Sequence, residues 1–411
     1  MAVIRPFKAV RPADEYADKI AALPYDVYNR AEAKVVCDAN PLSFLKIDRA
    51  ETQFPDSVDT YADEVYARAR DSYLEMKDKG YYKYDPASYY YIYELTMEGR
   101  SQTGIVACAS IDDYLHNVIK KHENTRADKE ADRIRHVDTM SAQTGPIFLA
   151  YHADKTISFI ICKYKKNKPV NDFTSDDNIT HRVWIIDGNE DIEAIENAFD
   201  NMDSIYIADG HHRCASAVKV GLKRREENPG YKGDEEFNYF LSVLFPDEGL
   251  MIMDYNRVIK DLNGHDSKEI FDYLKSKGTL KLMGSNQVKP DKKGRVSIFF
   301  ESNWYSYDFN EDICSDDPVK GLDVSVLQDH ILEPLFGIED PKTDKRIDFI
   351  GGIRGLGELR RRVELDCKIA FAMYPTQIGE LFNVADAGLL MPPKSTWFEP
   401  KLRSGLFIHE I

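Results

Sequence analysis

An aromatic hairpin pattern near residue 100 sets the fold class of this chain. The stretches "SYYYIYELTM" (88–97) and "TGIVACASI" (103–111) are rich in aromatic and β-branched residues, and "EGRSQ" separates them. Two such stretches joined by a short glycine-containing turn predict an antiparallel β-hairpin. Because strand and helix patterns are mixed along the chain and hairpins occur among them, we expect an α+β or mixed α/β fold.

Helices and strands follow one another irregularly around this hairpin. A helix is predicted over 57–80, where Ser57 can cap the first turn and Gly80 can end the last one. The further predictions before residue 226 are helices at 128–142, 190–202 and 211–225 and strands at 145–151, 181–187 and 205–208. The second half has the same mixed character, and the order of strands in its sheets is not readable from sequence.

The length of 411 residues predicts two or three domains at roughly 100–200 residues each. The polar stretch "REENPGYKGDEEF" (225–237) marks an approximate boundary, but "NYFLSVLF" after it can pair back into the first sheet. We therefore place an N-terminal region at 1–246 and a C-terminal α/β domain at 247–411, and we expect the C-terminal tail to contribute to the active site.

Composition argues against several classes of function. Nucleic-acid binders usually have a basic surface, whereas this chain has a net charge of −16. Its basic runs at 163–169 and 359–364 are short. No run of ~18 apolar residues predicts a membrane span, and the N-terminus has no apolar signal core. The six cysteines are scattered, which fits reduced thiols in the cytoplasm. We expect no nucleic-acid or membrane partner, and we leave open whether the chain forms a homodimer.

The stretch "ADGHHR" (208–213) carries the strongest chemical signal. It lies where a predicted strand passes into a helix, and the start of a helix offers free N–H groups to a phosphate. Gly210 allows close approach of a ligand, Arg213 can bind phosphate oxygens in a bidentate manner, and His211 and His212 can donate hydrogen bonds or exchange protons. Asp209 can hold Mg²⁺ or a substrate hydroxyl.

A second candidate stretch is "KKHENTRADKEADR" (120–133). Thr125 and Asp128 are spaced like a capping box. His122 and Glu123 lack the second histidine of H-E-x-x-H, which argues against a zinc protease. We expect an anionic-ligand site here, lined by Lys121, His122, Glu123, Thr125, Lys129 and Arg133; a solvated surface helix is the alternative.

Two further segments join the candidate site. The tail "MPPKSTWFEPKLRSGL" (391–406) is stiffened by two prolines and offers phosphate-compatible groups at Lys394, Ser395 and Thr396, followed by Glu399 and Lys401. A tail pinned across the surface by its aromatic pair is the alternative. The turn "LPYDV" (23–27) presents Asp26 as a ligand contact, whereas the glycine-rich "GGIRGLGE" (351–358) is better explained as a strand-to-helix turn.

These four motifs together resemble a large bacterial and archaeal family that carries a domain-of-unknown-function label. The resemblance to "LPYDV", "KHENT", "ADGHHR" and "MPPKSTWFEPKLRSGL" extends over essentially the whole chain. The Asp-Gly-His-His-Arg element is also distantly similar to the phosphate-binding motif of free-serine kinases, which have a ParB/sulfiredoxin-like fold. This similarity implies a ParB/sulfiredoxin-like nucleotide-binding core in the N-terminal region.

The resemblance implies a cytoplasmic kinase that transfers a phosphoryl group from ATP or ADP to free L-serine with Mg²⁺. The predicted roles are catalysis for Glu123, Asp209 and His211, and Mg²⁺ binding for Asp209. Phosphate binding is assigned to Gly210, His212, Arg213, Lys394, Ser395 and Thr396. Substrate binding is assigned to Asp26, His122, Thr125, Glu399 and Lys401.

The sequence leaves alternatives open for the catalytic base and for the function. The base glutamate of the kinases cannot be aligned, so Glu123 is chosen on local chemistry, and Asp209, Asp26 or Glu399 can take the same role. The sulfiredoxin cysteine position is His211 in this chain, which argues against sulfinic-acid reduction. The same groups can also serve a phosphoserine phosphatase or exchange enzyme, or a non-catalytic nucleotide-binding regulator.

Overall fold

The computed structural model describes all 411 residues, and they form two compact units. Unit 1 comprises Met1–Leu250 and Pro400–Ile411, and unit 2 comprises Met251–Glu399. The contact boundary lies four residues after the predicted division at 246/247, and the last twelve residues pack with unit 1. As a statement about independent domains, the division at 246/247 remains a prediction.

Unit 1 is built on a large mixed sheet, and the mixed α/β fold class is thereby confirmed. Its strands before residue 251 are β1 (Ile4–Arg5), β2 (Val10–Pro12), β3 (Tyr82–Tyr84), β4 (Tyr90–Met97), β5 (Arg100–Ser110), β6 (Ile119–Lys120), β7 (Ala142–Gln143), β8 (Ile147–Tyr151), β9 (Asn171–Thr174), β10 (Thr180–Ile186), β11 (Ile205–Asp209) and β12 (Tyr239–Pro246). The main sheet has the order β6-β11-β8-β12-β5-β4-β10-β9, with β1 added to β5. The pairs β6–β11 and β8–β12 are parallel, and the other pairs are antiparallel.

The predicted hairpin forms the centre of this sheet as β4 and β5. Met97 pairs with Arg100, so only Glu98 and Gly99 make the turn. Both residues have positive φ, +50° and +80°, as a two-residue turn of type I′ requires. The strand β12 then pairs with β5, so "NYFLSVLF" does return to the first sheet.

The helices of unit 1 lie in two groups. They are α1 (Ala17–Ile20), α2 (Arg30–Ala39), α3 (Leu45–Asp48), α4 (Asp63–Asp78), α5 (Ile111–Leu115), α6 (Ala127–Met140), α7 (Lys155–Tyr164), α8 (Asn189–Asp200) and α9 (His211–Glu227). One apolar core joins the sheet to α7, α8 and α9 through residues such as Ile157, Phe199 and Val218. A second core joins α1 to α4 with the end of α6 and the C-terminal segment.

Two predicted helix N-caps, Ser57 and Thr125, are wrong. Helix α4 begins at Asp63 with Ala62 as N-cap, not at Ser57. The guanidinium of Arg30 binds the carbonyls of Pro55 and Val58 at 2.9 and 2.8 Å, which holds the preceding segment in turns. Likewise, no side chain caps α6, because the Thr125 hydroxyl donates to Glu130 at 2.6 Å instead of forming a capping box with Asp128.

Unit 2 contains a six-stranded sheet of its own. Its strands are β13 (Ile252–Met253), β14 (Tyr255–Ile259), β15 (Gly278–Gly284), β16 (Arg295–Phe300), β17 (Asn303–Phe309), β18 (Ile347–Gly351), β19 (Ile369–Ala372) and β20 (Trp397–Phe398). The sheet order is β15-β17-β16-β19-β14-β18, and β13 pairs with β20. Its helices are α10 (Ser267–Lys277), α11 (Asp323–Leu327), α12 (Glu333–Phe336), α13 (Gly355–Leu365) and α14 (Ile378–Asp386). The apolar core lies between this sheet and α13.

The chain ends inside unit 1. The strand β21 (His409–Glu410) pairs with β7, and Ile408 bridges to Val10. Glu410 accepts hydrogen bonds from the hydroxyls of Tyr73 and Tyr84, which fixes the end of the chain. No helix of the structure combines the length and apolar character that a bilayer-spanning segment requires.

Candidate functional site

The junction between β11 and α9 is the centre of the candidate site. The strand ends at Asp209, and Gly210 turns the chain with φ +92° so that α9 begins at His211. No side chain caps this helix. The first-turn N–H groups of a helix lack intrahelical acceptors, so the start of α9 offers hydrogen-bond donors and the positive end of the helix dipole.

The Arg213 side chain folds back against Gly210. A Cβ atom at position 210 would lie 3.0 Å from Nη2 and 3.2 Å from Nε of Arg213. The third nitrogen, Nη1, donates to the carbonyl of Pro146 at 2.6 Å. Glycine is therefore required at position 210 both by its backbone conformation and by the guanidinium that lies on it.

Lys401 reaches this junction from the C-terminal segment of unit 1. Its Nζ lies 3.0 Å from Oδ2 of Asp209, while the N–H of Gly210 donates to Oδ1 at 2.8 Å. Burial opposes ionisation of the Asp209 carboxyl, but the charges of Lys401 and Arg213 outweigh this effect and hold its pKa well below the ordinary value. Asp209 is therefore an ionised carboxylate that positions a lysine.

This arrangement does not fit the Mg²⁺ role predicted for Asp209. Both carboxylate oxygens are engaged by the protein, and the nearest charged groups are cations. Mg²⁺ takes carboxylate and other oxygen ligands, so Asp209 would have to give up Lys401 or the Gly210 N–H to bind it.

The two histidines of "ADGHHR" hold the segment 122–126 against α9. The Nε2 atom of His211 lies 3.5 Å from the backbone N–H of His122, which donates to it. The Nε2 atom of His212 accepts from the backbone N–H of Arg126 at 2.9 Å. The rings of His122 and His211 are packed edge to face with centroids 4.5 Å apart. Two motifs that are about 90 residues apart in sequence thus form one site.

Burial keeps the two contacting histidines neutral. It lowers the pKa of His122 to about 4 and that of His211 well below the ordinary value, where the neighbouring His122 adds to the effect. The Nδ1 atom of His122 is buried without a hydrogen-bond partner in the protein. Glu123 places Oε2 3.9 Å from Nδ1 of His211, and its side chain is 58% exposed. The site therefore pairs a solvent-accessible carboxylate with a neutral imidazole.

Thr125 and Asp26 lie at the edge of this arrangement. The Thr125 hydroxyl is committed to Glu130, which also pairs with Lys219 on α9. Burial lowers the pKa of His212, and the negative charge of the exposed Asp26 opposes this shift. Thr125 therefore has a clear structural task, whereas the side chain of Asp26 faces solvent beside His212.

The predicted site residues between 394 and 399 belong to unit 2. Lys394 has φ +58°, its carbonyl accepts from the buried Arg257 at 3.0 Å, and its ammonium lies 5.5 Å from the centre of the Tyr255 ring. Ser395 donates to the carbonyl of Pro392 at 2.6 Å, and Trp397 donates to Glu399 at 2.9 Å. These bonds shape a tight turn, and the phosphate and substrate roles of Lys394, Ser395, Thr396 and Glu399 remain predictions.

The structure thus gathers most of the predicted residues within unit 1. These are Asp26, His122, Glu123, Thr125, Asp209, Gly210, His211, His212, Arg213 and Lys401. Sequence analysis overlooked Arg49 and Glu51, an ion pair at 2.7 Å in which Glu51 is buried. The spacing of Lys129, Arg133 and His136 along α6 would have indicated a shared face, but nothing in the sequence connects that face to residues 49–51.

Solved structures resemble this chain distantly. A free serine kinase mutant in complex with AMP is 12% identical with a TM-score of 0.36, over 73% of this chain and 91% of that chain. A conserved hypothetical protein from Pyrococcus furiosus is 15% identical with a TM-score of 0.34, over 73% and 93% of the two chains. C-terminally truncated SbnI from Staphylococcus aureus is 9% identical with a TM-score of 0.37, over 72% and 85%. Likeness at this level assigns no function.

Comparison with protein families identifies one family for this chain. No curated protein matches the chain. A family model described as "Protein of unknown function (DUF1015)" matches residues 4–325, which is most of the sequence. The family resemblance predicted from the four motifs is therefore confirmed, and the chain belongs to the DUF1015 family.

Proposed function

We propose that unit 1 binds the phosphates of ATP or ADP at the start of α9 and transfers a phosphoryl group to the hydroxyl of free serine or a similar amino acid. One observation carries the proposal. The uncapped start of α9, the guanidinium of Arg213 and the ammonium of Lys401 converge beside Gly210.

Phosphate is the ligand that this combination favours. A helix start provides N–H donors and positive potential, and a guanidinium adds charge-assisted hydrogen bonds. Asp209 pairs with Lys401, and the Arg213 guanidinium lies beside them as a second cation in a chain whose net charge is −16. Gly210 carries no Cβ, which lets the Arg213 guanidinium lie directly against the start of α9. A carboxylate ligand would satisfy the same donors less completely.

Phosphoryl transfer needs little more than positioning, charge neutralisation and a proton acceptor. In the proposed step the acceptor hydroxyl oxygen attacks the terminal phosphorus, and the bond between phosphorus and the bridging oxygen of the nucleotide breaks. Glu123 takes the hydroxyl proton. Its exposure and its position 3.9 Å from His211 leave it able to reach a bound acceptor.

The neutral histidines support this step without carrying charge. A neutral His211 can donate one hydrogen bond through Nδ1 while Nε2 holds the backbone of His122. The unpartnered Nδ1 of the buried His122 gives the site one further polar atom for a ligand or a water molecule. We assign His211 to orienting Glu123 and the transferring phosphoryl group.

Serine as the acceptor is supported by the motif at 209–213, which resembles the phosphate-binding motif of free-serine kinases. Mg²⁺ enters the proposal as the ion that accompanies ATP or ADP in solution. No step assigned to Asp209, Glu123 or Arg213 depends on it.

The test is a product assay on the intact chain. The protein is incubated with Mg²⁺, L-serine and separately ATP, ADP or pyrophosphate, and O-phosphoserine is measured by mass spectrometry. We expect O-phosphoserine in an amount equal to the nucleotide product. Nucleotide binding with no product from serine, threonine or homoserine would reject the kinase and leave a nucleotide-binding regulator. Phosphate release from O-phosphoserine alone would indicate a phosphatase.

A further inference from the structure

A cavity lies in unit 1 between α4, α6 and the segment 47–51. It has a volume of about 150 Å³ and is lined mostly by polar groups. Its lining includes the acidic residues Asp48, Glu51 and Asp132, the basic residues Arg49, Lys129 and Arg133, and His136. We call it the polar cavity. At ~30 Å³ for each water molecule in the liquid, it has room for a small polar ligand.

Arg49 and Glu51 form one wall of the polar cavity. The Nε atom of Arg49 lies 2.7 Å from Oε1 of Glu51, and Nη1 donates to the carbonyls of Tyr25 and Tyr28 at 3.3 and 3.1 Å. The Glu51 side chain is only 4% exposed. One guanidinium nitrogen, Nη2, and one carboxylate oxygen, Oε2, have no partner in the protein.

Arg133 and Asp132 form the opposite wall. Both Nε and Nη2 of Arg133 bind Oδ2 of Asp132, at 2.9 and 2.8 Å, and Tyr66 donates to Oδ1 at 2.7 Å. The Tyr25 ring supports the guanidinium at 4.0 Å. Asp132 is therefore fully satisfied, whereas Nη1 of Arg133 is not bound by any protein group.

The unused atoms have the charge pattern of an amino acid. Two guanidinium nitrogens, one from each wall, can bind an α-carboxylate, and the remaining oxygen of Glu51 can bind an α-ammonium. The three basic and three acidic residues of the lining balance one another, so the cavity favours a zwitterion over an anion such as phosphate. Buried charges are costly unless their hydrogen-bonding atoms are paired, and a zwitterion would pair the atoms that the two walls leave over.

The polar cavity adjoins the phosphate site. A smaller cavity of about 30 Å³ shares Tyr25, Asp48, Arg133 and His136 with it and is also lined by Arg213 and Gly145. The two cavities thus have these four side chains in common. For transfer, the hydroxyl of a short amino acid held by the walls would have to reach past them toward Arg213.

From this geometry we propose that the polar cavity is the acceptor site, and that Arg49, Glu51 and Arg133 recognise the carboxylate and ammonium of a small hydroxyl amino acid. The inference rests on the proposed function, since it names the place where the acceptor binds. It also assigns the specificity of the enzyme to residues outside "ADGHHR".

Binding of matched analogues to the intact chain tests this inference. L-serine, L-serinamide and 3-hydroxypropanoate are titrated calorimetrically with and without ADP; the last two lack the carboxylate and the ammonium, respectively. We expect L-serine to bind at least tenfold more tightly than either analogue. Equal affinities, or no binding of L-serine, threonine or homoserine in either condition, would overturn the inference and leave the walls as a purely structural ion-pair network.

A substitution in the polar cavity tests whether L-serine binds there. In Glu51→Gln, the affinity for L-serine should fall at least tenfold while that for 3-hydroxypropanoate changes less than twofold. Glu193→Gln, an exposed change on α8, is the matched control. The analogue panel on the unmodified protein decides the question even if Glu51→Gln fails to fold. Nucleotide binding without serine binding refutes the polar cavity alone, whereas serine binding without nucleotide binding refutes the phosphate site alone.

Discussion

At the residue scale, Glu123 and His211 bring an exposed carboxylate within 3.9 Å of a buried neutral imidazole. If Glu123 accepts the proton of the acceptor hydroxyl, Glu123→Gln keeps the shape of the side chain but removes the base. We expect single-turnover phosphoryl transfer to slow roughly 10²–10⁴-fold, with nucleotide affinity changed less than threefold. Rapid-quench kinetics and calorimetry on the same preparation measure both quantities.

The control for this experiment is Glu193→Gln, which changes a glutamate on α8 outside the site. Near-normal turnover in Glu123→Gln would reject Glu123 as the base and pass that role to Asp26 or Glu399. A parallel loss of binding and turnover would instead make Glu123 a binding residue.

Individual site residues were predictable where chemistry is concentrated in a short stretch. "ADGHHR" and "KHENT" each carry several functional groups in a row, and the structure joins them through His211 and His212. Arg49 and Glu51 were not predictable, because their segment has no periodic pattern and their importance depends on a cavity formed with α6. Local sequence contains no information about such a contact.

At the element scale, the passage from β11 to α9 depends on Gly210. An alanine there would have to adopt φ +92° and would place its Cβ 3.0 Å from Nη2 of Arg213. We expect Gly210→Ala to lower the free energy of unfolding by about 1–2 kcal/mol and to weaken nucleotide binding at least tenfold by displacing the guanidinium. Urea denaturation and calorimetry measure the two effects.

A matched substitution is Gly379→Ala in α14 of unit 2, where a Cβ meets nothing within 4 Å and φ is not left-handed. We expect this variant to be as stable as the original or slightly more stable, because alanine favours helices. If Gly210→Ala bound nucleotide as well as Gly379→Ala does, the close packing of Arg213 on Gly210 would be irrelevant to the site.

Helices and strands were predictable where the hydrophobic periodicity is strong. Their ends were not predictable where tertiary hydrogen bonds determine them. The hairpin β4–β5 and the helices α6, α8 and α9 follow the sequence pattern closely. The start of α4 does not, because Arg30 holds carbonyls of the preceding segment. Capping rules consider only neighbouring residues and miss a partner 25 residues away.

At the scale of the whole molecule, buried histidines make stability depend on pH. Burial lowers the pKa of His122 and His136 to about 4 and that of His181 to about 3, and it also lowers that of His211. In the unfolded chain each histidine takes up a proton near pH 6.5. The unfolded state therefore binds more protons below pH 6.5, and stability must fall as the pH falls.

We expect the loss to begin near pH 6.5, with His122 and His136 each contributing up to about 1.4 kcal/mol per pH unit down to about pH 4 and the other two adding to it in the same direction. Asp323 in unit 2, whose pKa burial raises to about 6, opposes part of this slope. Urea unfolding between pH 7.5 and 4.5 measures it. In His136→Gln, the free energy of unfolding should depend less steeply on pH, because one of the histidines that take up a proton on unfolding is gone. An unchanged slope would contradict the neutral state of His136.

The architecture was predictable only in class. Mixed strands and helices indicated the α/β fold, but the order β6-β11-β8-β12-β5-β4-β10-β9 combines strands from distant parts of the sequence. The packing of Pro400–Ile411 with unit 1 was also not predictable from the sequence. Both depend on which apolar faces pack together, and a single sequence does not encode that choice in any local pattern.

The most direct test of the account is a calorimetric titration of the intact chain with ATP, ADP and adenosine. Arg213→Ala and the control Arg70→Ala, an exposed arginine of α4 paired only with its neighbour Asp71, are titrated in parallel. Each charge-assisted hydrogen bond contributes about 1.5–3 kcal/mol. We predict that ATP or ADP binds at least tenfold more tightly than adenosine, and that Arg213→Ala, but not Arg70→Ala, removes this difference. Equal affinity of Arg213→Ala and the unmodified chain for ATP and ADP would contradict the phosphate site at α9.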